Sequence, residues 1–339
     1  CANSSIILKL LNFKMIIKNQ TKIVPTNEPS IPALYWSLSG LDTTLPEYVF
    51  REDFAKKLSE YNIEKILTEA VYLTKHEMMS LVSDAEKHVL QDVLFSGVGV
   101  ELGAGTGLLS STVANFEKVE KIYALEIVKN MVDLIIPKVS EYVAQENKNK
   151  IQPTCGSFNF LELQNNSVDF IFEIGSLHHS SNIHETMKES FRVLKKGGFM
   201  LCFDRSHPDN TPDDAIQDML TIEYGKDFLE ANGYPLNKKL TRAENGEHEL
   251  RCSDWKKAFE DAGFRLEKLK FFIKPSLKGF IKGLFFSLPY FVRRSIYTTV
   301  NMGNYQKQIP YYLNKLFKTK TTDTFASSAN VTVFLAIKK

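Results

Sequence analysis

Three glycines at alternate positions mark the first stretch of the sequence that could hold a ligand. Gly103, Gly105 and Gly107 follow the short apolar run 98–102. Glycine allows a tight turn and lets a ligand approach the main chain where a Cβ would otherwise stand. The spacing is G-x-G-x-G, unlike the G-x-G-x-x-G of dinucleotide sites, and no Gly-Lys-Ser/Thr follows as in a P-loop. The turn alone is weak evidence, but its spacing argues against both of those ligand classes.

A second candidate is Glu126, which lies 19 residues after Gly107, at the end of a predicted strand. A carboxylate at this place can accept charge-assisted hydrogen bonds from the two vicinal hydroxyls of a ribose. A lone glutamate is more often a surface acid. Together with the glycine turn, however, Glu126 predicts a nucleoside ligand that need not carry a diphosphate.

Three histidines are candidates for removing a proton from an acceptor. His179 and His207 follow predicted strands, and His248 lies between two glutamates in a predicted insertion. An imidazole with a pKa near 6.5 can accept a hydroxyl proton at neutral pH. Each also has a structural alternative, such as packing or capping a turn. The aspartates of 204–214 fit a solvated loop, so no metal site is predicted.

These residues must be positioned by alternating strands and helices. Strands separated by helices of 10–18 residues indicate βαβ units and a mostly parallel sheet covered on both faces. Ligands of such sheets bind at the carboxyl ends of the strands, where the glycine turn and the histidines lie. The patterns predict strands at 98–102, 121–125, 151–155, 168–174 and 199–203, and helices within 46–94, at 108–115, at 129–145, and from 183 to a glycine cap at 195–198.

In their order and spacing, these segments resemble class I S-adenosylmethionine-dependent methyltransferases. The stretch 100–107 is similar to the first motif of that family, and Glu126 stands where the family keeps its ribose-binding acid. Three further segments resemble the family. Residues 177–179 resemble the segment after strand four, 191–198 the segment before strand five, and 255–264 the segment before strand six.

The resemblance implies an α/β, Rossmann-like fold. Its doubly wound sheet has seven mostly parallel strands with an antiparallel last strand, and it carries an N-terminal helical extension and insertions after strands five and six. The implied parts are a partly helical extension at 1–83, the methyltransferase core with strands one to five at 84–206, an insertion over the active-site edge at 207–250, and strands six and seven at 251–339 with a basic aromatic insertion at 273–322.

The resemblance also implies a role for each residue of a cofactor site. The first motif would hold the methionine end of S-adenosylmethionine, and the end of the second strand would hold the ribose. The segment after strand three would border the adenine, although the family often has an aspartate there. The implied residues are Glu101, Gly103, Ala104, Gly105 and Gly107, then Glu126 and Ile127, then Ser157 and Phe158, with Glu173 at the end of strand four.

The absence of two motifs narrows the choice of acceptor class. It has neither the Asn/Asp-Pro-Pro-Tyr of enzymes that methylate amino nitrogens of bases nor the Pro-Cys of C5-pyrimidine enzymes. We therefore expect O-methylation of a small-molecule or lipid-linked acceptor, with His248, His207 or His179 as the base. The alternatives are a non-catalytic methyltransferase-like scaffold and a nicotinamide-dependent oxidoreductase.

The charge of the chain is unevenly divided. Residues 265–339 carry 14 Lys and Arg against 2 Asp and Glu, a net of +12, whereas 1–264 carries 28 against 38, a net of −10. A basic, aromatic segment is typical of membrane interfaces and nucleic-acid platforms. We expect it to form a lid or a homodimer contact, with peripheral membrane contact through 273–298 as the alternative. Nucleic acid is disfavoured because the remainder is acidic.

The remaining composition indicates a folded cytoplasmic protein. No apolar run approaches the ~18 residues that span a bilayer. The four cysteines are scattered, without a C-x-x-C pair, and fit buried thiols in a reducing compartment.

Overall fold

A computed structural model describes residues 31–38, 41, 43–69, 95–207, 209, 211–272 and 331–339. Residues 70–94 of the predicted helical region, the basic aromatic insertion 273–322 and the segment 273–298 within it lie outside the described residues. Within the described ranges, no helix is both long enough and apolar enough to cross a membrane.

The strands join into one eight-stranded sheet. They are β1 Leu34–Tyr35, β2 Gly97–Leu102, β3 Val119–Glu126, β4 Ile151–Cys155, β5 Val168–Ile174, β6 Leu194–Asp204, β7 Arg265–Phe272 and β8 Val331–Ile337. Their order is β1-β4-β3-β2-β5-β6-β8-β7. All neighbours are parallel except β8, which runs antiparallel to both β6 and β7. The predicted doubly wound sheet with an antiparallel last strand is confirmed, and β1 adds a short eighth strand beside β4.

The helices cover both faces of this sheet. They are α1 Pro46–Ser59, α2 Ile63–Glu69, α3 Leu108–Val113, α4 Ile136–Val143, α5 Ile183–Val193, α6 Asp213–Leu220, α7 Lys226–Ala231 and α8 Cys252–Asp261. Alternate residues of one strand point to opposite faces. Accordingly, Phe170 packs into the core beneath α3 and α4, whereas Ile171 packs into the core beneath α5 and α8. The largest fully buried side chain is Trp255 of α8, whose ring lies 5.6 Å from that of Phe334.

The predicted glycine cap at 195–198 is wrong, because this segment belongs to β6. Helix α5 ends at Val193, and Leu194 already has extended backbone. The Gly197 amide donates to the Lys338 carbonyl at 2.7 Å, and the Lys338 amide donates to the Gly198 carbonyl at 2.9 Å. Pairing with the residues that follow β8 therefore competes successfully with extension of the helix.

Candidate active site

The glycine turn lies at the carboxyl end of β2 and is open at its middle. Gly103 and Gly105 have φ of +74° and +52°, values that favour glycine. A Cβ on Gly103 would lie 2.7 Å from Oγ of Ser176, whereas a Cβ on Gly105 would meet nothing within 4 Å. The first glycine thus packs against the segment after β5, and the second leaves room for a ligand.

Glu126, at the end of β3, is held at this open position. Its Oε2 accepts from the Gly105 amide at 2.8 Å, and its Oε1 accepts from the amides of Ile127 and Val128 at 3.0 and 3.1 Å. A carboxylate offers about four lone-pair positions. Glu126, which the sequence predicted for the ribose, therefore contacts the middle of the glycine turn. Its carboxylate can accept one further hydrogen bond.

Glu101 is turned toward the start of α3. It is buried, and its Oε2 accepts from the amide of Ser110 at 2.8 Å and from the Ser110 hydroxyl. Burial raises the pKa of Glu101 to about 8, although the two bonds from Ser110 favour its ionised form. The side chain thus ties β2 to α3, and its role at the methionine end of the cofactor stays a prediction.

Replacing Glu101 by glutamine should make the stability of the protein less sensitive to a rise in pH between 4.5 and about 8. The folded pKa of about 8 lies above the ordinary 4.5, so the folded state keeps a proton that the unfolded chain loses. This stabilisation is complete below the unfolded pKa and is lost as the pH rises toward 8, by at most about 1.4 kcal/mol per pH unit. Urea unfolding at several pH values between those two pKa values should show Glu101→Gln gaining stability relative to the wild type as pH rises. Parallel profiles would show that Glu101 is ionised at neutral pH.

The two residues predicted to border the adenine lie in the loop after β4, and Trp36 packs against this loop. The ring of Phe158 lies 3.4 Å from the position of a Cβ on Gly103. Ser157 is buried, and its Oγ accepts from the Asn159 amide at 3.1 Å. Trp36 packs against Gly156, and its amide donates to the Cys155 carbonyl at 2.7 Å. The structure thus brings Phe158 to the glycine turn, with Ser157 preceding it in the chain, and it places Trp36 against this loop, which the sequence did not indicate.

Glu173 stabilises the turn that follows β5. It is fully buried, and its Oε2 accepts from the amide and the hydroxyl of Ser176, both at 3.1 Å. The Cys202 thiol donates to its Oε1 at 2.7 Å. Burial, with Asp204 nearby, raises the pKa of Glu173 well above its ordinary value. Because Gly103 packs against Ser176, Glu173 supports the glycine turn through its hydrogen bonds to Ser176.

Two consecutive histidines follow this turn, and each ring is held by a carboxylate. His178 Nδ1 lies 2.8 Å from Oδ1 of Asp204, at the end of β6. His179 Nδ1 lies 2.9 Å from Oε2 of Glu47, on α1. The ring centroids are 4.3 Å apart. The sequence predicted His179 but not Glu47, since an acid in a helix usually faces solvent.

The two rings have opposite shifts in pKa. Burial, followed by the charge of Arg205, lowers the pKa of His178. Burial also opposes protonation of His179, but the charge and contact of Glu47 outweigh it and raise the pKa of His179. Burial disfavours ionised Glu47 as well, yet His179 and Arg51 lower its pKa. His178 is therefore the ring that tends to be neutral, and His179 the ring that tends to be cationic.

The other two predicted histidines lie in different surroundings. His248 is exposed, and its amide donates to the His178 carbonyl at 2.8 Å. It therefore shares the edge with His178 and His179. His207 is only 2% exposed, and its Nε2 contacts Oε2 of Glu249.

His207 belongs to a buried ionic cluster that we define as Arg205, His207, Arg242, Glu247 and Glu249. Nε of Arg242 donates to Oε2 of Glu247 at 2.9 Å, and the same carboxylate contacts Arg205. Glu249 contacts Arg242 and lies 3.6 Å from Arg205. Burial opposes its ionisation, but His207 and the two arginines lower its pKa. The cluster joins the insertion to the end of β6.

The described residues contain no group of three or more His, Cys, Asp or Glu side chains arranged to hold a metal ion. The polar groups at this edge instead pair with one another. The geometry therefore presents an open glycine turn with an acid beside it, next to two oriented imidazoles.

Comparison with known proteins identifies this arrangement. Residues 100–202 match the family model described as a methyltransferase domain. This part of the chain is a class I methyltransferase domain. The family uses S-adenosylmethionine, so the predicted family and cofactor are confirmed.

Curated relatives of the methyltransferase domain match over limited lengths. The sarcosine/dimethylglycine N-methyltransferase of Aphanothece halophytica is 29% identical over 123 residues, which are 36% of this chain and 42% of that protein. The demethylmenaquinone methyltransferase of Lactococcus lactis is 31% identical over 88 residues, which are 26% of this chain and 33% of that protein. The chain therefore spans less than half the length of these relatives.

Solved structures align over more of the chain at low identity. The [4+2]-cyclase SpnF is 14% identical, with a TM-score of 0.48 and coverage of 92% of this chain and 99% of that one. Geranyl diphosphate C-methyltransferase from Streptomyces coelicolor A3(2), in complex with S-adenosyl-L-homocysteine, is 12% identical. Its TM-score is 0.46, and the alignment covers 86% of this chain and 98% of that one.

Proposed function

We propose that this chain transfers the methyl group of S-adenosylmethionine to an oxygen of a small-molecule or lipid-linked acceptor. The observation that carries the proposal is the bond between Glu126 and the amide of Gly105, at the open point of the glycine turn in a methyltransferase domain. When bound, S-adenosylmethionine supplies an electrophilic methyl on a sulfonium, and the protein supplies orientation and exclusion of water.

The residues present fit this cofactor. Space above Gly105 admits a ligand against the main chain, and Glu126 stands beside it to accept bonds from ribose hydroxyls. Phe158 and Ser157 adjoin the turn from the adenine side. In this proposal Glu101, Ala104, Gly107, Ile127 and Glu173 maintain the shape of the pocket, through their hydrogen bonds to neighbouring elements.

The imidazoles at the same edge support oxygen as the methylated atom. A hydroxyl must lose a proton when it is methylated, and a histidine of ordinary pKa can take it. His179 and His248 lie at this edge, whereas His207 is engaged with buried Glu249. The names of the two curated relatives indicate sarcosine or dimethylglycine and demethylmenaquinone as their acceptors. Both are small molecules, which supports a small acceptor here.

The proposal keeps the division of the chain at 1–83, 84–206, 207–250 and 251–339. The extension supplies α1, and the insertion supplies His248, so both border the acceptor side. A homodimer contact of the basic aromatic insertion 273–322, or membrane contact through 273–298, also remains part of the proposal. Nucleic acid is not proposed as a partner.

Thermal unfolding with single ligands tests the cofactor. A ligand at about 100 times its dissociation constant adds roughly 2.7 kcal/mol, a shift of a few degrees for a chain of this length. We expect S-adenosylmethionine and S-adenosylhomocysteine to raise the melting temperature, and NAD and NADP to leave it unchanged. A shift with NAD or NADP alone would favour the oxidoreductase, and no shift with any of the four would favour the scaffold.

A further inference from the structure

His178 is fixed at two atoms by one aspartate. Its main-chain amide donates to Oδ2 of Asp204 at 2.9 Å, and its Nδ1 lies 2.8 Å from Oδ1. The amide of Arg205 also donates to Oδ1, at 2.6 Å. Asp204 itself is 1% exposed at the end of β6. The ring is therefore attached to the core of the sheet rather than to a loop.

These bonds determine where the ring carries its proton. Burial opposes ionisation of Asp204, but His178 and Arg205 lower its pKa, so it is a carboxylate. An ionised carboxylate accepts hydrogen bonds and donates none. Nδ1 of His178 must then carry the hydrogen, which leaves a lone pair on Nε2. Among the described residues, this Nε2 has no protein hydrogen-bond partner, and the side chain is 12% exposed.

The segment that carries His178 is joined to the glycine turn. Ser176, two residues before His178, is the residue against which Gly103 packs. The Ser176 hydroxyl donates to the carbonyl of Leu102 at 2.6 Å, which joins the segment after β5 directly to the end of β2. His178 therefore lies close to the part of the chain that borders the cofactor.

The charges around His178 come from four elements. Asp204 and Arg205 belong to the end of β6, and His179 is its neighbour in the chain. Glu47 faces the pair from α1, and exposed His248 adjoins it from the insertion. Burial with Arg205 and His179 disfavours a proton on His178, whereas Asp204 favours one, and the net effect is a lowered pKa. The ring is neutral at pH 7.

We infer that His178, oriented by Asp204, is the general base of this enzyme. A neutral imidazole takes a proton most readily from an acidic hydroxyl, so the acceptor that we expect bears a hydroxyl of the phenol or enol type. This inference rests on the proposed function. The acceptor O–H bond breaks and its proton goes to Nε2. The oxygen forms a bond to the methyl carbon, while the carbon–sulfur bond breaks and leaves its electron pair on sulfur.

The other histidines suit this role less well. His179 faces Glu47, which favours the cationic form of the ring. A cationic imidazole has no free lone pair with which to accept a proton. His207 is engaged with Glu249 in the buried ionic cluster. Exposed His248 has no carboxylate at hydrogen-bonding distance within the described residues. Asp204 is a positioning residue, since it acts through the ring of His178.

The tautomer of His178 is testable without an acceptor. In the S-adenosylhomocysteine complex labelled with ¹⁵N-histidine, two-bond ¹H–¹⁵N spectra should show His178 neutral at pH 7, with its hydrogen on Nδ1. Asp204→Asn cannot satisfy both main-chain amides and Nδ1, and should move the hydrogen to Nε2. A wild-type ring that is cationic, or that carries its hydrogen on Nε2, would overturn the assignment. Failure of the wild type to bind S-adenosylhomocysteine would instead overturn the proposed function.

The rate of methyl transfer shows whether His178 acts as a base or has only a structural role. We expect His178→Gln to keep its affinity for S-adenosylhomocysteine and to lose methyl transfer to phenol on the order of 10²- to 10⁴-fold. The loss should be smaller with 4-nitrophenol, which is ionised at mildly alkaline pH. The control is His184→Gln on α5, whose side chain is 40% exposed, and it should match the wild type. Equal losses with the two phenols, or methylation of amines alone, would contradict the inference.

Discussion

Replacing Glu126 by alanine is expected to weaken the binding of S-adenosylmethionine about 100-fold. The carboxylate already accepts three main-chain hydrogen bonds, and its remaining lone pair would accept a charge-assisted hydrogen bond from a ribose hydroxyl, worth about 1.5–3 kcal/mol. Its loss also releases the amide of Gly105, which it now holds at 2.8 Å. Calorimetric titration with S-adenosylmethionine and S-adenosylhomocysteine would measure the change.

The matched control for Glu126 is Glu120→Ala, which removes an exposed acid from the same strand. This variant should bind both compounds as the wild type does. Glu126→Gln retains the side-chain size and should lie between the wild type and alanine. Unchanged affinity in Glu126→Ala, with an unfolding free energy equal to that of the wild type, would remove the main support for a ribose site at this acid.

Replacing Glu249 by alanine is expected to lower the unfolding free energy by about 3–5 kcal/mol, because it removes one of the two carboxylates that pair with the arginines of the buried ionic cluster. Glu249 is 7% exposed and contacts His207, Arg205 and Arg242. Arg242 is itself buried, which lowers its pKa to about 10. Denaturant unfolding of the wild type and the variant would measure the difference.

The same insertion supplies the control for Glu249. Glu230 of α7 is exposed, and Glu230→Ala should change the unfolding free energy by no more than about 0.5 kcal/mol. Because the cluster joins the insertion to β6, Glu249→Ala should also weaken the packing of His248 against His178. A loss below about 1 kcal/mol would show that solvent reaches the cluster and screens its charges.

The glycine turn and the order of the sheet could be predicted because their signals are local. Alternating apolar runs and glycine spacing are readable within a few residues of the chain. The bond between Gly105 and Glu126 joins residues 21 apart, which lies within one βαβ unit. Strand β1 could not be predicted, since it has two residues and is defined by its pairing with Thr154 and Cys155.

The pairing of the histidines depends on contacts that no local pattern contains. Asp204 is 26 residues from His178, and Glu47 is more than 130 residues from His179 along the chain. The sequence predicted His179 and His207 as bases because they follow strands, and His248 because it lies between two glutamates. Neighbouring glutamates looked favourable for His248, yet the fold directs Glu247 and Glu249 into the buried ionic cluster instead.

The chain contains two tryptophans, and the fold places them in different surroundings. Trp36 packs on Gly156, next to the residues predicted to border the adenine, and is 8% exposed. Trp255 is fully buried between α8 and β8. Intrinsic fluorescence therefore carries two separate signals. Emission from Trp36 will report on cofactor binding, and emission from Trp255 will report on the integrity of the fold, without any added dye or label.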